Sequence, residues 1–99
     1  MASSHLSLRR WFRFYNRKYF NDELPDETRL VWSPLTVDHA HMQAAEIHMD
    51  QALALYPKFM RITLLHEMIH LHKPRLGHGK KFLAEVDRLY RAGAYEVLF

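Results

Sequence analysis

Four of the chain's eight histidines fall within residues 64–82, in the stretch LLHEMIHLHKPRLGHGKKF. His66 and His70 are four residues apart, so on a helix they leave from one face, about 40° apart and one turn along the axis. Two imidazoles so placed can hold a single Zn2+ at about 2.0–2.1 Å each. Glu67 sits one residue round the helix, where its carboxylate reaches a water activated by the metal without ligating the metal itself. Zinc lowers the pKa of such a water towards 7 and polarises a carbonyl. Glu67 would take the water's proton and later return it to the leaving amine. His66-Glu67-Met68-Ile69-His70 is thus HExxH, the pattern of metal-assisted peptide hydrolysis, and its apolar x positions suit a half-buried helix.

A catalytic zinc takes three protein ligands and keeps one position open, so a third ligand must come from elsewhere. His78, framed by Gly77 and Gly79, is the first choice. Pro74 stops the helix and the glycines permit a tight return beside His70. Glu85, fifteen residues after His70, competes for the same role from the last helix. His72 points about 200° away from His70 on the same helix. It is expected to favour the helix C-terminus electrostatically rather than to bind metal. His39, His41 and His48 lack ligand spacing to one another.

The elements that must position these groups follow from periodicity. A first helix is expected over residues 7–20, with Leu8, Trp11, Phe12, Tyr15 and Tyr19 on one arc and Arg9, Arg10, Arg13 and Arg17 on another. Pro25 ends the segment that follows. Residues 28–33, TRLVWS, read as a strand closed by Pro34. Alternation through Ile47 and Met49 suggests a second strand over residues 46–49. Pro57 suits the first turn of a helix over residues 57–72, with Ile62, Leu65 and Ile69 facing inward, because the residue before Pro74 avoids helical backbone. A last helix over residues 80–92 presents Phe82, Val86, Leu89 and Tyr90, and Gly93 caps it. The expected fold is α+β, three main helices around a small two- to three-stranded sheet, with HExxH on the second helix.

Ninety-nine residues make one small domain, read as a single unit over 1–99. A chain of this size is marginally stable, and a bound metal would add to it. The absence of cysteine excludes disulfides, thiol catalysis and a zinc ribbon. No apolar run is long enough for a membrane span and no signal peptide is visible, so a cytoplasmic, monomeric protein without membrane contact is the expectation. The formal charge of +3 is concentrated in the second half, which carries eight Lys/Arg against four Asp/Glu.

The sequence resembles the SprT-like (Spartan-type) zinc metalloproteases. HEMIH followed by GHGKKF matches that family's HExxH and GHGxxF. YNRKYFNDELPDETRLVWS resembles its aromatic helix leading into an LP motif and a strand ending in WS, and IHMDQALA resembles the strand before its catalytic helix. These blocks occur in family order from Trp11 to Leu89. The resemblance implies a zincin-like core in which His66, His70 and His78 bind zinc and Glu67 is the general base. It also implies proteolysis of DNA-bound or crosslinked proteins that depends on DNA. The chain differs from the family pattern in a short segment from His70 to His78 and an abbreviated hairpin before Ile47. It also lacks a C-terminal zinc-binding or partner-recruiting region within these residues.

DNA is a candidate partner beside the protein or peptide substrate. Arg9, Arg10, Arg13 and Arg17, with Lys73, Arg75, Lys80 and Lys81 flanking the metal motif, could contact phosphates, and Trp11 or Phe14 could stack on unpaired bases. The competing reading is a solvated basic face over buried aromatics. An extended substrate could pair with the strand at residues 46–49 if that strand is an edge. The rival to an enzyme is a zinc-stabilised module that binds DNA or protein without turnover.

Overall fold

The computed structural model describes residues 4–33, 46–73 and 79–96. Helix α1 spans Ser4–Tyr19. Strand β1, Arg29–Ser33, and strand β2, Glu46–Asp50, precede a short 3-10 turn at Gln51–Leu55. Helices α2, Pro57–His72, and α3, Lys80–Arg91, complete the order. The layout is α+β, three helices with a small two-stranded sheet. Helix α1 begins three residues before its expected start at Ser7. The expected abbreviated hairpin, and any third strand between β1 and β2, fall on residues 34–45, outside the described residues.

The two strands run parallel, with Leu30 opposite Ile47 and Trp32 opposite Met49. Ile47 and Met49 are buried while Glu46, His48 and Asp50 are half-buried, the period-two alternation of a strand with one covered face. At the first register position the Arg29 guanidinium meets the Glu46 carboxylate at 2.7 Å. Asp50 then ends the strand by accepting a hydrogen bond from the Ala52 amide at 3.0 Å, which starts the 3-10 turn leading to α2.

Leu8, Phe12 and Tyr15, at i, i+4 and i+7 of α1, are fully buried, as the helical period requires. They share one core with Met60, Leu64, Leu65, Met68 and Ile69 of α2 and with Phe82 and Leu89 of α3. Some expected inward positions are less enclosed: Ile62 and Val86 pack against the core only in part and Tyr90 is 65% exposed, and all three line a groove between α2 and α3.

Local chemistry sets the helix ends. Pro57 opens α2 at its first turn, where a missing N–H costs nothing. Helix α3 closes in a Schellman motif: Gly93 takes φ +92° and donates to Tyr90 O, and Ala94 donates to Leu89 O. The left-handed backbone explains why a glycine stands there. Beyond α1, Asn21 and Asp22 both take positive φ, and buried Asn16 holds the returning loop from both sides. Its Nδ2 donates to Leu24 O at 3.0 Å and its Oδ1 accepts from the Leu24 amide at 3.1 Å.

Candidate metal centre

His66, Glu67 and His70 lie in the C-terminal half of α2, and all three are half-buried. Leu64, Leu65, Met68 and Ile69 anchor this stretch in the core, which leaves the two histidines on the opposite side of the helix. Their Nε2 atoms stand 3.2 Å apart. Two nitrogens bound to one tetrahedral zinc would be separated by about 3.3 Å, given ligand distances near 2.0–2.1 Å. The donor pair therefore fits a shared zinc. Without a metal, the same separation suits a hydrogen bond from one imidazole to the other.

Phe82 of α3 backs both rings. Its centroid is 4.8 Å from that of His66 and 4.8 Å from that of His70, stacked on the latter with planes 28° apart. Being 5% exposed, Phe82 is part of the core, so the imidazoles rest against a fixed surface. The periodicity of α3 assigned Phe82 to the core but not to this contact.

His78 lies outside the described residues, as do Pro74, Arg75 and Gly77. Among the described residues no group of three His, Cys, Asp or Glu side chains converges to hold a metal. Glu85 is engaged elsewhere: its Oε1 accepts from Arg88 Nε at 3.2 Å and Nη2 at 3.0 Å, and its other oxygen is 3.9 Å from Lys73 Nζ. Arg88 in turn donates to Tyr19 O at 2.9 Å, which ties α3 to the end of α1. His72 meets Glu23 at 2.7 Å and packs edge-on to Phe20, away from the HExxH face as its helical angle required.

The signature of the SprT-like family matches residues 8–97. The chain belongs to the SprT-like family. Neither the search of curated proteins nor that of solved structures gives a match. The match spans every described element from the second turn of α1 to the turn after α3.

The basic residues of this SprT-like chain are unequally available. Arg9 donates to Asp26 O at 3.1 Å and Thr28 O at 2.7 Å, which fastens the loop before β1 to α1. Arg13 is 3.5 Å from Asp26, and Arg13 and Arg17 line a polar pocket of about 300 Å³ shared with Asn16, Asp22 and Asp26. Arg10, Lys80 and Lys81 are exposed. Trp11 is half-buried with the Arg61 guanidinium 3.6 Å above its ring, whereas Phe14 is exposed at 44%. Sequence reasoning missed Arg61, which also donates from Nε to the Tyr15 hydroxyl at 2.8 Å and so joins α2 to α1.

On the N-terminal side of His66 along α2, a groove of about 510 Å³ opens between α2 and α3. Ile62 and His66 form one wall and Leu83, Val86 and Tyr90 the other, with Tyr95 from the turn after α3 beneath them. Burial pushes the Tyr95 hydroxyl above its ordinary pKa, and the nearby Tyr15 adds to the effect. Burial likewise raises Tyr15 against the opposing pull of Arg61. No helix among the described residues is long and apolar enough to cross a membrane.

Proposed function

We propose that this chain is a zinc-dependent metallopeptidase with a zincin-like core. The observation that carries the reading is the pair of α2 imidazoles, with Nε2 atoms 3.2 Å apart, in a chain of the SprT-like family. His66 and His70 would hold the metal together with His78, whose rival Glu85 is committed to Arg88 and Lys73. Zinc, when bound, supplies a Lewis acid that acidifies a water and polarises the scissile carbonyl. Glu67 would take a proton from the attacking water as general base and return it to the leaving amine. Phe82 keeps both imidazole rings oriented and excludes water from their inner faces. An extended peptide can pair with the β2 edge away from β1, where no described strand lies, and that mode demands little of the substrate's sequence.

DNA-dependent action on DNA-bound or crosslinked proteins is the finer part of the proposal. It draws on the family likeness and on the exposed Arg10, Lys80 and Lys81 rather than on Arg9, which is occupied with the fold. Metal analysis of the purified protein decides the first step, with one equivalent of zinc in wild type and in Glu85→Ala but substoichiometric zinc in His78→Ala. Incubation of the zinc-loaded protein with a denatured substrate, alone and with single- or double-stranded DNA, decides the second. Zinc and DNA binding without cleavage under any of these conditions would sink the peptidase reading and leave a binding module.

A further inference from the structure

The groove beside His66 is built from two helical stripes. Ile62 and His66 of α2 line it, and Phe59 extends the same face one turn back, giving i, i+3 and i+7 spacing. Leu83, Val86 and Tyr90 repeat that spacing on α3. Large apolar groups stand open to solvent along this line: Phe59 is 62% exposed, Leu83 61% and Tyr90 65%. Nothing in the packing of the core requires them, since Phe82 and Leu89 already fill the inner face of α3. The carboxylate at the groove, Asp87, is paired with Arg91 at 2.8 Å, so its charge is compensated at the rim. The volume of about 510 Å³ is within the range of sites that enclose ligand groups, and the lining is predominantly apolar.

We propose that this groove receives a large apolar side chain (phenylalanine, leucine or methionine in kind) of a peptide lying across His66, which makes the preferred substrates unfolded segments with exposed apolar residues. The inference rests on the peptidase reading for its occupant. Its support is continuity: His66 belongs both to the HExxH pair and to the groove wall, so a chain held at the metal places a neighbouring side chain over Ile62, Val86 and Tyr95. Charge adds to it, because an uncharged slot with a neutralised rim favours an uncharged side chain. Folded proteins bury such residues, so the groove selects for the unfolded state without reading a motif.

Two measurements keep this proposal separate from the peptidase reading. The first is the affinity of zinc-loaded Glu67→Gln protein for a fluorescein-labelled unstructured peptide with one central phenylalanine, compared with the same peptide carrying alanine there. The phenylalanine peptide is expected to bind about tenfold tighter or more. Val86→Trp, which fills the groove, should bring the two within about twofold. So should Leu83→Ser with Tyr90→Ser, which removes exposed apolar rim without opening the core. Equal affinities in the unfilled groove, or a difference that both variants leave intact, overturn the proposal. So does sedimentation showing a dimer that Val86→Trp dissolves, since a second copy would then be the occupant.

The second measurement maps the bonds that the wild-type protein cuts in a denatured protein. Cuts at a fixed offset from large apolar residues support the groove, and cuts without that bias overturn it. If no bond is cut but phenylalanine binding still depends on the groove, the peptidase reading fails and the groove assignment stands.

Discussion

The polar groups around α1 and those around the α2–α3 cleft are used in opposite ways. At α1, hydrogen-bonding capacity is spent on the chain itself: Asn16 on both backbone groups of Leu24, Arg9 on the Asp26 and Thr28 carbonyls, Arg88 on the Tyr19 carbonyl. At the cleft the two imidazoles meet each other at 3.2 Å, and apolar side chains that could have been buried stand in solvent. One region is a clamp that fixes where α1 and its loop lie. The other holds its chemistry and its apolar surface towards something that is not part of the fold. Substitutions in the first should therefore lower stability and spare metal content, and substitutions in the second should act first on metal content, peptide binding or cleavage.

The sharpest contrast is expected at Glu67. Glu67→Gln keeps the size of the side chain and should leave zinc stoichiometry and the denaturation midpoint unchanged. Loss of the base should lower cleavage of a denatured substrate by at least about a hundredfold. A variant that cleaves within a few fold of wild type would remove Glu67 from the chemistry. At the clamp, Asn16→Ala strands the buried Leu24 amide and carbonyl and is expected to cost about 2–4 kcal/mol, read by urea unfolding. Zinc per molecule should not change. Loss of zinc together with stability would merge the two regions and defeat the contrast. Smaller again is Arg61→Gln, which removes the guanidinium from the Trp11 ring and from the Tyr15 hydroxyl, at about 1–2 kcal/mol.

The division also marks what could be read from the amino-acid order. HExxH, the Pro57 start, the glycine at position 93 and the alternation of Ile47 and Met49 are local signals, and each has a local structural counterpart. The clamp was not legible because its pairs are distant or irregular. Asn16 looks like any polar helix residue until Leu24 returns to it across a loop with two left-handed residues. Arg61 and Tyr15 are far apart in sequence, and no periodicity couples them. Helical angle groups Arg9 with the other arginines, yet its partners are backbone carbonyls of the next loop. The groove was missed for a related reason: Ile62 and Tyr90 are apolar residues at helical spacing, which reads as core, and only the relative placement of α2 and α3 leaves Ile62 at the edge of the core and Tyr90 outside it.

Protonation tests the same contrast with smaller effects, and the signs differ at the two ends of the pH scale. Tyr15 and Tyr95 have hydroxyl pKa values raised above the ordinary 10.0 by burial, so their contribution to stability is present below pH 10 and is lost as pH rises through the folded values. Tyr95→Phe should flatten part of that alkaline decline. At the acid end Glu46 is the group to follow. Its hydrogen bond with His48, aided by Arg29, lowers its pKa below the ordinary 4.5. A lowered folded-state value means that the folded chain holds this proton less tightly than the unfolded chain. The stabilisation is present above pH 4.5 and disappears as pH falls through the lower folded value. Other carboxylates titrate in the same range, so the informative quantity is the difference between wild type and Glu46→Gln, followed by urea midpoints from neutral pH down to about 3. The difference should be greatest at neutral pH and shrink below 4.5. A difference that stays constant across the range would mean that the β1–β2 register rests on strand pairing and burial, with the Arg29–Glu46–His48 chain adding no pH-dependent hold.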